Sequence, residues 1–242
     1  MAVTRQVRQI RTGRAGRGNA SRRLAARTPR SIRVHSAPTT LLTASLDELG
    51  ELIAQNPRRL DELFGGLEAP DARTKYGCLK LLRTLSERRP ELLSAKLDRF
   101  IHLLESAETI LHWGAILIIG NLAAVDSRGE VDRILDKYLE PIRGSVMITA
   151  ANTMTGAAKI AKAKPQCASR IAAAVMRCER ATYATPECRN IALGHAIKAL
   201  DAFYQCVPDQ KQVVEFVRRQ LENPRNATRH KAAKFLKQHE IG

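Results

Sequence analysis

The stretch Gly114–Leu122, GAILIIGNL, decides the fold, because it has counterparts along the whole chain. GCLKLLRTL (77–85), NTMTGAAKI (152–160), ALGHAIKAL (192–200) and TRHKAAKFL (228–236) align with it without gaps. Their last residues, Leu85, Leu122, Ile160, Leu200 and Leu236, follow one another at spacings of 37, 38, 40 and 36. Four residues before each stand Leu81, Ile118, Gly156, Ala196 and Ala232; three before stand Leu82, Ile119, Ala157, Ile197 and Ala233. Both columns share one helical face with the terminal residue, by i, i+3 and i+4 spacing. Eight residues before the end the side chains are small: Gly77, Gly114, Asn152, Ala192 and Thr228. Small residues there predict close approach of neighbouring helices.

Between the aligned segments lie shorter amphipathic stretches: ELLSAKLDRFIHLLE, EVDRILDKYLEPI, QCASRIAAAVMRCE and QKQVVEFVRRQLE. The pattern predicts helices near 71–88, 91–105, 108–125, 130–142, 146–163, 166–180, 186–205, 209–222 and 226–239, with no strand alternation. Upstream, SLDELGELIAQNP carries a capping-box signature, Ser45 followed by Glu48, with Leu46, Leu49, Leu52 and Ile53 as its apolar face. RRLDELFGGLEAP reads as a second short helix. Two helices per unit and a period of about 38 residues resemble the HEAT and armadillo-like repeats, in particular uncharacterised HEAT-repeat proteins of bacterial type. The resemblance covers about residues 46–242. The fold expectation is therefore all-α: an α-solenoid superhelix of about five HEAT-like helix pairs over 43–242, after an arm spanning 1–42.

Composition agrees. Aromatic residues are only 4% of the 242, so a Leu, Ile, Val and Ala core favours packed helices over a β-sandwich. The formal charge of +16 is unevenly placed. Residues 1–45 carry ten Arg and no acidic side chain; 46–140 carry 13 basic against 17 acidic; 141–242 carry 17 against 7. A basic arm and a basic second half point to an acidic partner such as nucleic acid.

Cys78, Cys167, Cys178, Cys188 and Cys206 are odd in number and form no CxxC pair. They read as core residues of a protein in a reducing, cytoplasmic compartment. Residues 1–35 hold no apolar stretch of a secretory signal. TILHWGAILIIGNLAAV (109–125) lacks Asp, Glu, Lys and Arg, yet at 17 residues it is at the lower limit for a membrane span. A buried central helix accounts for it better.

No chemistry stands out. HEAT-like di-iron hydroxylases use repeated His-Glu dyads; this chain has one, His239-Glu240, and its six His are scattered. HEAT-like alkylpurine DNA glycosylases combine a basic concave surface with an Asp and aromatics that contact the damaged nucleotide. The nearest counterparts are Trp113, which core packing explains, and Asp126, which a DSRG turn explains. HEAT-like bilin lyases find no supporting pattern. Cys188 and His195 are two helical turns apart, roughly 10 Å, too far for a direct pair. GxSxG, GxxxxGK[ST] and GxGxxG are absent. The expectation is no catalytic residue, no cofactor and no metal.

Stacking the repeats also stacks charges. Two residues before the terminal Leu or Ile the chain reads Arg83, Gly120, Ala158, Lys198, Lys234; five before, Lys80, Leu117, Thr155, His195, Lys231; eleven before, Thr74, Leu111, Thr149, Arg189, Arg225. Cations gather in the last two units, where Arg218, Arg219, Arg229 and Lys237 add to them. The functional expectation is a non-enzymatic scaffold that binds nucleic acid or a protein partner in its groove, with no membrane association and no small-molecule substrate. The candidate contacts are Arg189, Lys198, Arg218, Arg219, Arg225, Arg229, Lys231 and Lys234. To these the arm adds Arg5, Arg8, Arg11, Arg14 and Arg17. The runner-up is a DNA-repair enzyme resembling the glycosylases. The arm reads as a flexible cationic extension serving the same acidic partner, or as an organellar transit peptide.

Overall fold

The computed structural model describes residues 41, 42 and 45–241. Among these, eleven α-helices and no strand occur. They are α1 (Leu46–Gln55), α2 (Arg58–Gly66), α3 (Ala72–Arg88), α4 (Leu97–Leu103), α5 (Thr109–Leu122), α6 (Glu130–Leu139), α7 (Met147–Ala163), α8 (Ala168–Met176), α9 (Pro186–Phe203), α10 (Lys211–Arg219) and α11 (Asn226–Gln238). No helix among the described residues is long and apolar enough to cross a membrane.

Local chemistry sets several starts. Ser45 caps α1: its Oγ accepts from Glu48 N at 3.3 Å, and the Glu48 carboxylate accepts from Ser45 N at 2.8 Å. Such a cap stabilises a helix by about 1 kcal/mol. Asp71 caps α3 through Thr74 N at 2.8 Å, and Thr185 caps α9 through Cys188 N at 3.1 Å, with Pro186 in the first helical position.

The shorter stretches are less regular than their amphipathicity predicts. The helix expected at 91–105 is the two 3₁₀ turns Pro90–Leu92 and Ser94–Lys96 followed by α4. Those expected at 130–142 and 166–180 shrink to α6 and α8, flanked by the turns Glu140–Arg143, Pro165–Cys167 and Arg177–Arg180. Pro90, Pro141 and Pro165 lie in the first turn of three of these segments, where a missing N–H is tolerated and a continuing α-helix is not.

The long helices pack consecutively: α3 on α5, α5 on α7, α7 on α9, α9 on α11, with the short helices beside them. The apolar columns fill these contacts. Leu82, Leu85, Ile118, Ile119, Leu122, Ala157, Ile160, Ala196, Ile197, Leu200 and Ala232 are all buried. Each buried Leu or Ile contributes about 1.5–3 kcal/mol over leaving it in water. The columns weaken at α11, where Ala233 is exposed and Leu236 only partly buried, because α11 packs on α9 and α10 and no later element covers it among the described residues. In α1, Leu49 and Ile53 are buried but Leu52 is 38% exposed, so the predicted apolar face is narrower than drawn. The core begins before residue 43: Leu41 is buried, and Leu42 packs on Gly77.

The small-residue column does permit close approach. A Cβ at Gly114 would stand 2.5 Å from Leu79 Cδ1, and one at Gly77 would stand 2.9 Å from Leu42 Cδ2. Thr228 Oγ1 donates to the carbonyl of Asn190 at 2.8 Å, joining α11 to α9.

Candidate basic interface

The candidate cations divide by what they touch. Arg219, exposed at the end of α10, donates two hydrogen bonds to Glu179, at 3.1 and 2.8 Å. Arg225, which precedes α11, pairs with Glu187. Arg229 donates to the carbonyls of Asn223 and Pro224 at 2.8 and 3.0 Å and so braces the loop before its own helix. These three stitch adjacent elements together. Arg218 is exposed on α10. Arg5, Arg8, Arg11, Arg14 and Arg17 lie outside the described residues.

Lys198, Lys231 and Lys234 meet no carboxylate within ion-pair distance among the described residues; Lys198 of α9 lies close enough to Lys231 of α11 to act on its charge, and Lys234 is one turn on from Lys231. Lys231 is partly buried and crosses α9 at Gly194: a Cβ built on that glycine would lie 3.2 Å from its Nζ. Burial lowers the Lys231 pKa below the ordinary lysine value, and the positive charges of Lys198 and Arg225 push it further down. His195, on the same face of α9, is held below the usual histidine value by burial, then by Lys231 and Lys198. Lys198, Lys231 and His195 thus lie close together between α9 and α11, with no carboxylate paired to them among the described residues. Arg189 is exposed one turn into α9, beside the loop 180–186.

A second cationic group escapes the sequence columns. Arg143, Arg177 and Arg180 line one cleft with Ala181 and Thr182. They sit in the 3₁₀ turns that end the short-helix segments, whereas the alignment followed only the long helices. A signal was available: Arg143 and Arg180 each close such a turn, 37 residues apart. Extending the alignment past the short helices brings them within one residue of register.

The residues weighed for catalysis have other duties. The side chain of Asp126 is 1% exposed. Its two oxygens accept from the backbone N–H groups of Glu130 and Val131 at 3.0 and 2.9 Å, holding the start of α6, and Lys164 closes on it at 3.2 Å. Gly129, with φ +66°, makes the left-handed turn that aims those amides. Trp113 is only partly buried; its Nε1 donates to Thr149 Oγ1 at 2.9 Å, and it borders a groove shared with Tyr76, Ile110 and Leu117. It is a rim residue more than a core one. His239 pairs with Asp201 at 2.8 Å and stacks against Tyr204 and Phe235. The five cysteines are free; Cys78, Cys167 and Cys178 are buried. Burial pushes the thiol pKa of Cys78, Cys167 and Cys178 up, which suits packing and disfavours a thiolate.

No family model, curated protein or solved structure matches this chain.

Proposed function

We propose that residues 43–242 are a HEAT- or armadillo-like superhelix of about five helix pairs that binds nucleic acid and has no catalytic activity of its own. Support for the repeat comes from side-chain bonds between neighbouring units. Lys75 bonds Glu108 across 33 residues, Trp113 bonds Thr149 across 36, Asn121 bonds Ser86 across 35, Lys159 bonds Asn121 across 38 and Gln238 bonds Asp201 across 37. These separations of 33 to 38 residues lie near the spacing of the aligned segments, which supports the repeat reading.

The observation that carries the function is the uncompensated cluster of Lys198, Lys231 and Lys234 with His195 on α9 and α11. Like charges held this close oppose folding, so a sequence free to place glutamate there gains stability by doing so. A phosphate backbone relieves the repulsion, and its released counterions supply the driving force. Nothing marks a helix shaped to read base edges, so the binding is independent of sequence.

Anisotropy titrations of a random duplex and of single-stranded RNA over a salt series test this. The expected log–log salt slope is about −0.9 per phosphate neutralised on duplex DNA. Replacing Lys198, Lys231 and Lys234 by Ala should shallow it by up to roughly three such steps. No binding to either probe at low salt overturns the reading. The groove of Tyr76, Ile110, Trp113 and Leu117, where Ile110 is 44% exposed, favours a second reading, a protein partner. A pull-down with and without nuclease separates the two.

A further inference from the structure

Arg143, Arg177 and Arg180 enclose a cleft of 370 Å³ whose remaining lining is Ala181 and Thr182. A smaller adjoining cavity of 190 Å³ shares Arg180, Ala181 and Thr182 and places Arg189 at its edge. The frame beneath them is fixed. The 3₁₀ turns Glu140–Arg143 and Arg177–Arg180 touch each other. The hydroxyl of buried Tyr183 donates to the carbonyl of buried Ile142 at 2.7 Å, and Ala181 N donates to Cys178 O at 3.2 Å. Four guanidinium groups are therefore carried to one place on ordered backbone.

None of the four meets a carboxylate within ion-pair distance among the described residues, whereas Arg59, Arg83, Arg89, Arg99, Arg219 and Arg225 are paired. The acids nearby are already engaged. Asp136, whose ionised form Arg177 also favours from a distance, is bonded by Arg170, and Glu179 is bonded by Arg219 and Gln220. The cleft thus gathers three guanidinium groups that no carboxylate pairs among the described residues, and planar donor forks of this kind suit tetrahedral oxyanions.

We propose that this cleft is a phosphate-binding site that takes the terminal phosphomonoester of a nucleic-acid strand. A backbone diester offers two free oxygens and one charge. A terminal monoester offers three oxygens and a charge approaching −2 at neutral pH, which matches three guanidinium forks in one cleft. Thr182 adds a hydroxyl at its edge. The proposal rests on the nucleic-acid reading and deepens it: the lysines of α9 and α11 hold the strand, and the arginines hold its end.

The test compares one single-stranded oligonucleotide carrying a 5′-phosphate with the same strand carrying a 5′-hydroxyl, titrated onto the full chain. The 5′-phosphate form should bind on the order of tenfold tighter. Inorganic phosphate in excess should erase that preference while leaving the 5′-hydroxyl strand bound. Joint replacement Arg143→Lys, Arg177→Lys and Arg180→Lys keeps the charge and removes the forks, so it should abolish the preference and leave the helical circular dichroism unchanged. The same Arg→Lys replacement at Arg58, Arg73 and Arg88 should leave the preference intact. Equal affinity for the two strands overturns this site while the nucleic-acid reading stands. Failure of both strands overturns both. Binding of a phosphoserine peptide in place of either strand overturns the assignment to nucleic acid.

Discussion

The hydroxyl of Tyr138 lies where a side chain on Gly156 would have to grow. Tyr138 reaches from α6 beneath the crossing of α5 and α7 and donates to the carbonyl of Ile116 at 2.8 Å. At the same crossing a Cβ on Gly120 would stand 2.7 Å from the Gly156 Cα, so the two backbones meet glycine against glycine. Gly156→Ala therefore displaces a buried tyrosine and breaks its hydrogen bond. The expected cost is about 2–4 kcal/mol, read as a lower urea midpoint with an unchanged slope. Adding Tyr138→Phe to Gly156→Ala should recover part of that loss, and additive losses would show that the hydroxyl is not the obstacle.

Asp126 joins three parts of the chain: its own turn, the first amides of α6, and Lys164 after α7. Burial pushes its carboxyl pKa up, but the two amides and Lys164 outweigh that, and the net shift is downward. Lys164 also lowers Asp132, the stronger of its two partners by distance at 2.5 Å. A carboxyl whose folded pKa is depressed contributes stability above its unfolded pKa, and that contribution is lost as pH falls through the folded value. Stability should fall below about pH 4, the ordinary Asp range. Asp126→Asn should remove about 2–3 kcal/mol at pH 7 and flatten this acid limb. A variant with wild-type stability at pH 7 would remove Asp126 from the account.

His195 gives a second pH dependence, nearer neutrality. Its folded pKa lies below the ordinary 6.5, through burial and the charges of Lys231 and Lys198. The unfolded chain therefore binds its proton first. Stability is complete above about pH 6.5 and declines as pH falls through the folded value. Urea midpoints between pH 8 and pH 5 should show this decline, and His195→Gln should reduce it. Lys231→Ala should shrink it too, since Lys231 is one of its causes.

Lys231 is held in the fold against its own preference for charge. Lys231→Met keeps the stem over Gly194 and deletes the ammonium. Stability should stay equal or rise by up to about 1 kcal/mol, while affinity for polyanion falls. Loss of stability together with retained binding is the opposite outcome and would assign Lys231 to structure alone.

The helices and their core were legible because local periodicity reports burial directly. Residues three and four apart on one helix share a face wherever the helix goes, so the columns ending in Leu85, Leu122, Ile160 and Leu200 name the packed surface correctly. The cap of α1, Ser45 with Glu48, is equally local. Reading weakens where the outcome depends on a neighbour. The periodicity over 91–105 could not say that Pro90 would divert the chain into 3₁₀ turns, and Ala233 is exposed where no later element covers α11 among the described residues.

The site divides the same way. Sequence alone determined the helices of the described residues and an excess of positive charge in the arm and again after residue 140, because charge and helical phase are properties of residue order. Tertiary structure decided which of those cations are engaged. Arg219, Arg225 and Arg229 are bonded by groups distant in sequence or in the adjoining loop, whereas Lys198, Lys231 and Lys234 meet no carboxylate among the described residues. It also decided that Arg143, Arg177 and Arg180 share a cleft. The reason is that pairing and convergence depend on distances between elements, which residue order sets only through the completed packing.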